Sequence, residues 1–245
     1  MICTDIKHFS HEHNLKPECN KTPFTCDGCK EIGWGPRFRC QDCNYDLHKD
    51  CALAPSSTFH PFYKKCSFEF LKSVPDGPER CCDACGRDVH GFVYHCHNYG
   101  YDLHPSCANL PHVLEGEGVE LHLRESLLSK CYKCKSKGPK TRVRGWSYRS
   151  TCKEYHFHVS CMKDMVVGKW EQEYFGGTEL NSVGMEITQL VPSLQLTSQS
   201  GASSGKGKIS KYWRIVKMVL KVIISSMIGD PIGGITCLIG SLLSG

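Results

Sequence analysis

Cysteine pairs recur three times along this chain, each followed by further cysteine and then by a histidine and a cysteine three residues apart. No other feature restricts the fold so tightly. CDGC at 26–29 is followed by CQDC at 40–43 and LHKDC at 47–51. CDAC at 82–85 is followed by Cys96 and LHPSC at 103–107, and CYKC at 131–134 by Cys152 and FHVSC at 157–161. NYDLH at 44–48 and GYDLH at 100–104 are close copies. An imperfect threefold repeat of this length implies several very small units in tandem rather than one large core.

Zinc accounts for the pattern physically. The ion takes four ligands tetrahedrally, at roughly 2.3 Å to sulfur and 2.0–2.1 Å to nitrogen, and two cysteines separated by two residues on a tight turn can grip it together. Segments this short cannot bury enough apolar surface to fold alone, so metal binding must supply folding free energy. Turn-forming flanks such as Asp27-Gly28 and Gly33-Trp34-Gly35 suit such a knuckle. The chain holds 18 cysteines and 13 histidines in 245 residues. Its start, MICTDIKHFSHEH, has no basic region leading into an apolar run. The expectation is therefore an intracellular protein, cytoplasmic or nuclear and not secreted, whose Cys-x-x-Cys pairs bind metal rather than form disulfides. A formal net charge of +5 does not by itself imply nucleic acid.

The first repeat reads His13, Cys26-x2-Cys29, Cys40-x2-Cys43, His48-x2-Cys51, His60. With KHFSHEHNL, FTCDGC, YDLHKDCA and FHPFY, it resembles the phorbol-ester/diacylglycerol-type (C1) zinc finger, and more closely the divergent C1 domain of plant cysteine/histidine-rich proteins. The resemblance covers about residues 7–175. It implies interleaved ligation, with one zinc on Cys26, Cys29, His48 and Cys51 and another on His13, Cys40, Cys43 and His60. The expected fold class is small zinc-stabilised α+β modules, three tandem C1-like fingers of short strands and brief helices, plus a C-terminal α-helical tail. The modules would span 7–60, 61–115 and 116–176, with a linker at 177–208 and the tail at 209–245.

The later repeats depart from the pattern. Cys82, Cys85, His104 and Cys107 form a complete set, as do Cys131, Cys134, His158 and Cys161. In the second repeat Tyr99 falls where Cys43 stood, so another ion would need Cys66 and Cys96 with His97 or His112. In the third, Cys152 has only His156 and an upstream His112 or His122. The expected cofactor is Zn2+, four ions and up to six. His8, His11, His90 and His95 are read as surface histidines or neighbours of the ligands.

Closed, thiolate-rich sites leave no open position for catalysis, and neither His-Glu-x-x-His nor the deaminase signature is present. The reading is a non-catalytic zinc-binding scaffold or adaptor with protein partners, consistent by resemblance with plant signalling or stress response. The rival in another class is a thiol–disulfide redox protein. The resemblance also raises diacylglycerol binding, but the loop between Cys29 and Cys40, KEIGWGPRFR, lacks a Gln-Gly element. Trp34 and Phe38 could form an apolar tip there or cap the small core. Nucleic acid ranks behind too: Arg37 and Arg39 are diluted by acids, and KCKSKGPKTRVR at 133–144 is the better basic candidate.

Beyond the third repeat, Trp170, Tyr174 and Phe175 would pack back on the last module. PSLQLTSQSGASSGKGK at 192–208 reads as a flexible linker. From Ile209 to Ile228 an amphipathic helix would set Arg214, Lys217 and Lys221 on one face, until Asp230-Pro231 breaks it. Together with the apolar stretch from Ile232 to Leu243, segment 209–245 suits a membrane surface or a partner groove better than a span.

Overall fold

The computed structural model describes residues 4–116, 119–138 and 143–175. The linker and the 209–245 tail lie outside the described residues. What is described is a small strand-rich fold with few helices, arranged as three four-stranded antiparallel sheets in chain order.

The first sheet is a meander of β1 (Ile6–Lys7), β2 (Asn14–Thr25), β3 (Ile32–Cys40) and β4 (Asp46–His48). The second joins β5 (Ser57–Thr58), β6 (Phe68–Leu71), β7 (Val93–Cys96) and β8 (Tyr101–Leu103), and the third joins β9 (Val113–Gly116), β10 (Val119–Arg124), β11 (Ser147–Ser150) and β12 (His156–His158). The second and third sheets begin slightly before residues 61 and 116. The first strand of each is a short ribbon ahead of the first cysteine pair.

In the first and third sheets the last strand ends on the histidine of His-x-x-Cys and runs straight into a helix; in the second it ends on Leu103, one residue before His104. These helices are α1 (Lys49–Ala52), α2 (Pro105–Ala108) and α3 (Val159–Phe175). His48 and His104 are the helix N-caps yet make no side-chain capping bond, which leaves their rings free to face the sulfurs. One helical turn then brings the cysteine three residues later to the same side. The third helix, 17 residues long, is not brief. Its early residues Val159 and Met162 are buried, whereas the side chains of Trp170, Tyr174 and Phe175 lie outside the description.

The knuckles are built alike. The amides of Cys26, Cys82 and Cys131 donate to the carbonyls of Glu31, Arg87 and Ser136. The residue after each second cysteine, Lys30, Gly86 or Lys135, has φ of 64°, 69° or 60°. Closing this turn requires a left-handed residue, and two of the three units spend a lysine there at a conformational cost.

The units are not separate beads. Phe92 of the second unit is buried in the first unit's core with Leu15, Phe24, Phe38 and Leu47. The second and third share one core in which Trp146 is 1% exposed. Lys163 on α3 reaches back to Glu31 of the first unit at 2.9 Å. Arg87 of the second pairs with both Glu31 at 3.6 Å and Asp164 at 2.7 Å.

Candidate metal centres

Four groups of donors converge: Cys26, Cys29, His48 and Cys51; Cys82, Cys85, His104 and Cys107; Cys131, Cys134, His158 and Cys161; and His11, His13, Cys40 and Cys43. In each group the four donor atoms lie within 4.8 Å of one another. Three sets are Cys3His and the fourth is Cys2His2.

The separations fit a tetrahedral ion. Bonds of roughly 2.3 and 2.0–2.1 Å at the tetrahedral angle place sulfur and nitrogen about 3.6 Å apart. From His48 Nδ1 to Cys29 and Cys51 Sγ the distances are 3.3 and 3.8 Å. From His104 Nδ1 to Cys85 and Cys107 they are 3.4 and 4.0 Å. His158 Nδ1 stands 3.5 and 3.7 Å from Cys134 and Cys161, and His13 Nδ1 stands 3.2 and 3.7 Å from Cys43 and Cys40. Thiolate-rich tetrahedral sets of this kind select zinc. Each of these four histidines offers Nδ1 to its set. His104 orients its ring further through Nε2 to the Asp88 carbonyl at 3.2 Å. The His48 ring lies against Gly33, where any side chain would take the ring's place.

The electrostatics of the clusters favour a cation. Burial opposes charge on His48, yet the Cys29 and Cys26 thiolates hold its pKa well above the ordinary value. His104 is also raised against burial, by its hydrogen bonds to Cys107 and Cys85. Cys131 is drawn down to about 3, first by its hydrogen bond with Cys161, whose own thiol is pushed up. The three Cys3His clusters thus crowd protons and thiolates together, and a divalent ion relieves that crowding by displacing the protons.

The structure brings together every member of the three His-x-x-Cys sets. It corrects the fourth. His60 is not with His13, Cys40 and Cys43; its ring stacks on Trp146 with centroids 4.2 Å apart. His11 takes the fourth position, beside the Tyr45 ring at 4.2 Å. The reason is local: the tight turn from His8 to His11 folds the HFSHEH segment at 8–13 over the Cys40–Cys43 knuckle, while His60 starts the next unit's equivalent turn.

The irregular second sets do not assemble among the described residues. Cys66 and Cys96 are buried, but His97 turns outward to Glu69 at 3.0 Å and His112 lies beside His60. Cys152 is exposed, and His156 Nε2 faces the Lys153 carbonyl. His122 pairs with Glu120. Backbone bonding shows why: Cys40 and Ser150 both donate to a tyrosine five residues on, so Ser150, not Cys152, stands at the metal-binding position of the third unit. Three residues beyond come Cys43, Tyr99 and Lys153, of which only the first binds metal.

Phe38, expected at an exposed tip or as a core cap, is 4% exposed and belongs to the core. The Trp34 side chain lies outside the description. In the 133–144 loop, residues 139–142 are outside it too; Lys133 pairs with Asp164 at 3.2 Å and Lys135 lies over the Tyr132 ring at 4.4 Å. Arg37 and Arg39 are paired with Asp46 and Glu18.

Closed four-donor sets on small sheets are the sites of a structural zinc finger. Residues 9–52 match the C1 domain family, and the chain carries a cysteine/histidine-rich C1-type zinc finger with the donor groups repeated along it. Two relatives from Arabidopsis thaliana match shorter stretches. Probable nucleoredoxin 1 is 38% identical over 48 residues, 20% of this chain and 8% of that protein. Probable nucleoredoxin 3 is 44% identical over 46 residues, 19% of this chain and 12% of that protein. The chain therefore spans a small fraction of these relatives' lengths. No solved structure matches. Among the described residues no helix is long and apolar enough to cross a membrane.

Proposed function

We propose that the chain is a non-catalytic scaffold in which three tandem C1-like units, each held by a Cys3His zinc, present surfaces to protein partners. The observation that carries this reading is the closure of the donor sets. In the first and second units all four Cys3His donors are buried, so a bound ion keeps no face for substrate or water. The plant origin of the matched relatives fits an adaptor in plant intracellular signalling or stress response. The 209–245 tail is the candidate for docking on a membrane surface or partner. Diacylglycerol and nucleic acid rank behind protein: Phe38 is buried, and the arginines beside it are already paired.

The rival is thiol–disulfide exchange, the activity that the relatives' name suggests for them. The two readings differ in thiol access. A scaffold keeps its Cys-x-x-Cys sulfurs masked until a chelator is added, and it does not reduce the disulfides of insulin. Rapid alkylation of Cys26, Cys82 or Cys131 in the zinc-loaded chain, together with insulin reduction, would replace the scaffold with the redox reading.

A further inference from the structure

The buried lysine of α3 belongs to the third unit, yet it faces the metal set of the second. Lys163 Nζ directs an N–H at Cys85 Sγ, 4.0 Å away, and donates to Glu31 of the first unit at 2.9 Å. The other Glu31 oxygen stands 3.9 Å from His104 Nε2. All three units thus meet at one donor set, the first through Glu31 and the third through Lys163. The next residue, Asp164, straps the same helical turn to Arg87 of the second unit at 2.7 Å.

Charge explains why a cation belongs there. Cys82, Cys85, His104 and Cys107 are all buried. A divalent ion on three thiolates and a neutral imidazole leaves one negative charge, and burial makes an uncompensated charge costly. Glu31 does not use up the lysine, because Arg87 shares that carboxylate at 3.6 Å. The equivalent residues of the other units bring no cation to a neighbour's sulfur. Leu53, two residues past Cys51, is half exposed, and Asn109, two past Cys107, donates to Asp50 at 3.1 Å.

We infer that Lys163 is an outer partner of the second unit's metal set. Its ammonium donates to the Cys85 sulfur, offsets the charge left on the set, and makes retention of that ion depend on the docking of α3. The coupling is reciprocal, so the bound ion in turn holds the third unit against the second. Groups that support a ligand from outside in this way typically govern about 10–100-fold of metal affinity. The inference rests on the zinc reading of the donor sets and adds a residue that their spacing does not mark.

The test loads the full chain with an NMR-active cadmium isotope and follows each metal signal as a chelator is added. The second unit's signal is assigned through its coupling to the β protons of Cys82, Cys85 and Cys107. Lys163→Met should weaken retention of that ion by about 10–100-fold, and Lys163→Arg should restore most of it. Glu31→Gln removes the lysine's other partner but keeps its ammonium, so it should release the ion close to the wild-type rate. Should Lys163→Met fail to fold, the wild-type chain decides: the Lys163 ammonium nitrogen should shift when zinc is exchanged for cadmium. An unmoved ammonium, or equal retention in Lys163→Met and Glu31→Gln, overturns the inference while the ions stay in place. A second set that takes up no ion overturns it together with the zinc reading.

Discussion

The Phe92 amide donates a 2.9 Å hydrogen bond to the Gly28 carbonyl, joining the second unit to the cysteine knuckle of the first. The same bond recurs between Trp146 and Ala84, at 2.7 Å, joining the third unit to the second. Gly28 and Ala84 are the third residues of their Cys-x-x-Cys knuckles, and Phe92 and Trp146 each follow a glycine at the start of a strand. The equivalent positions in the first and third units differ. Pro36, in the place of Phe92, has no N–H, and Lys133, in the place of Gly28, carries a long side chain bound to Asp164. Among the described residues docking thus runs in one direction, each knuckle carbonyl accepting from the next unit's amide.

A side chain at position 28 would strike the Phe92 ring, and one at 91 would strike the Gly28 carbonyl. Gly28→Val should therefore undock the first unit without touching a metal ligand. We expect the Phe92 amide to lose its hydrogen-exchange protection while the zinc content stays at wild type. Trp146→Ala should cost about 3–5 kcal/mol, the usual range for a buried aromatic, measurable by denaturant unfolding.

His11 and His60 exchange the roles that the family resemblance suggested, so their variants separate cleanly. His11→Ala removes a donor from the Cys2His2 set and should lower zinc by one ion per chain in native mass spectrometry. His60→Ala should leave zinc unchanged and reduce thermal stability, because its ring fills space against Trp146. Loss of an ion in His60→Ala alone would restore His60 as the ligand.

The same histidine gives a pH dependence. Burial, aided by neighbouring His112, lowers the His60 pKa from 6.5 to about 4. The unfolded chain therefore binds a proton that the folded chain rejects between these values. The associated stability is fully present above pH 6.5 and is lost as pH falls through the window to about 4. A His60→Gln chain should show a shallower fall of melting temperature over that window than wild type. Identical slopes would remove His60 from the acid response.

The Lys163–Glu31 pair links the third unit to the first, with side chains 6% and 13% exposed. Removing one partner of a buried pair strands the other charge, so Lys163→Met should cost about 3–5 kcal/mol at most, since Arg87 remains beside Glu31. Glu31→Gln combined with Lys163→Met should recover much of that loss. A double-mutant cycle with no coupling energy would show that the pair does not join the units.

What was legible in the sequence is what is local. A cysteine pair on a turn and a histidine one helical turn before a cysteine fix their own geometry within a few residues, so the three Cys3His sets could be read from spacing. The second set depended on a histidine brought in across a sheet. There the family resemblance pointed to His60, whereas the fold of HFSHEH over the knuckle supplies His11. Cys152 misled for a related reason, since strand register rather than sequence distance puts Ser150 beside the vanished site. The docking bonds left only small residues at 28, 84, 91 and 145 as a trace, which many turns would share.

The central claim is four zinc-binding sets, one Cys3His set in each of the three units and a Cys2His2 set in the first. Native mass spectrometry of the full chain, purified under reducing conditions and compared with Cys43→Ser, tests it most directly. Cys43 is exposed while Cys51 and Cys107 are fully buried, so the Cys2His2 ion should also be the first removed by a chelator. Four zinc ions in the wild type, three in Cys43→Ser and a first-released ion missing from the variant are the predicted results. Six ions, or little metal with the knuckle cysteines in disulfides, would contradict the account.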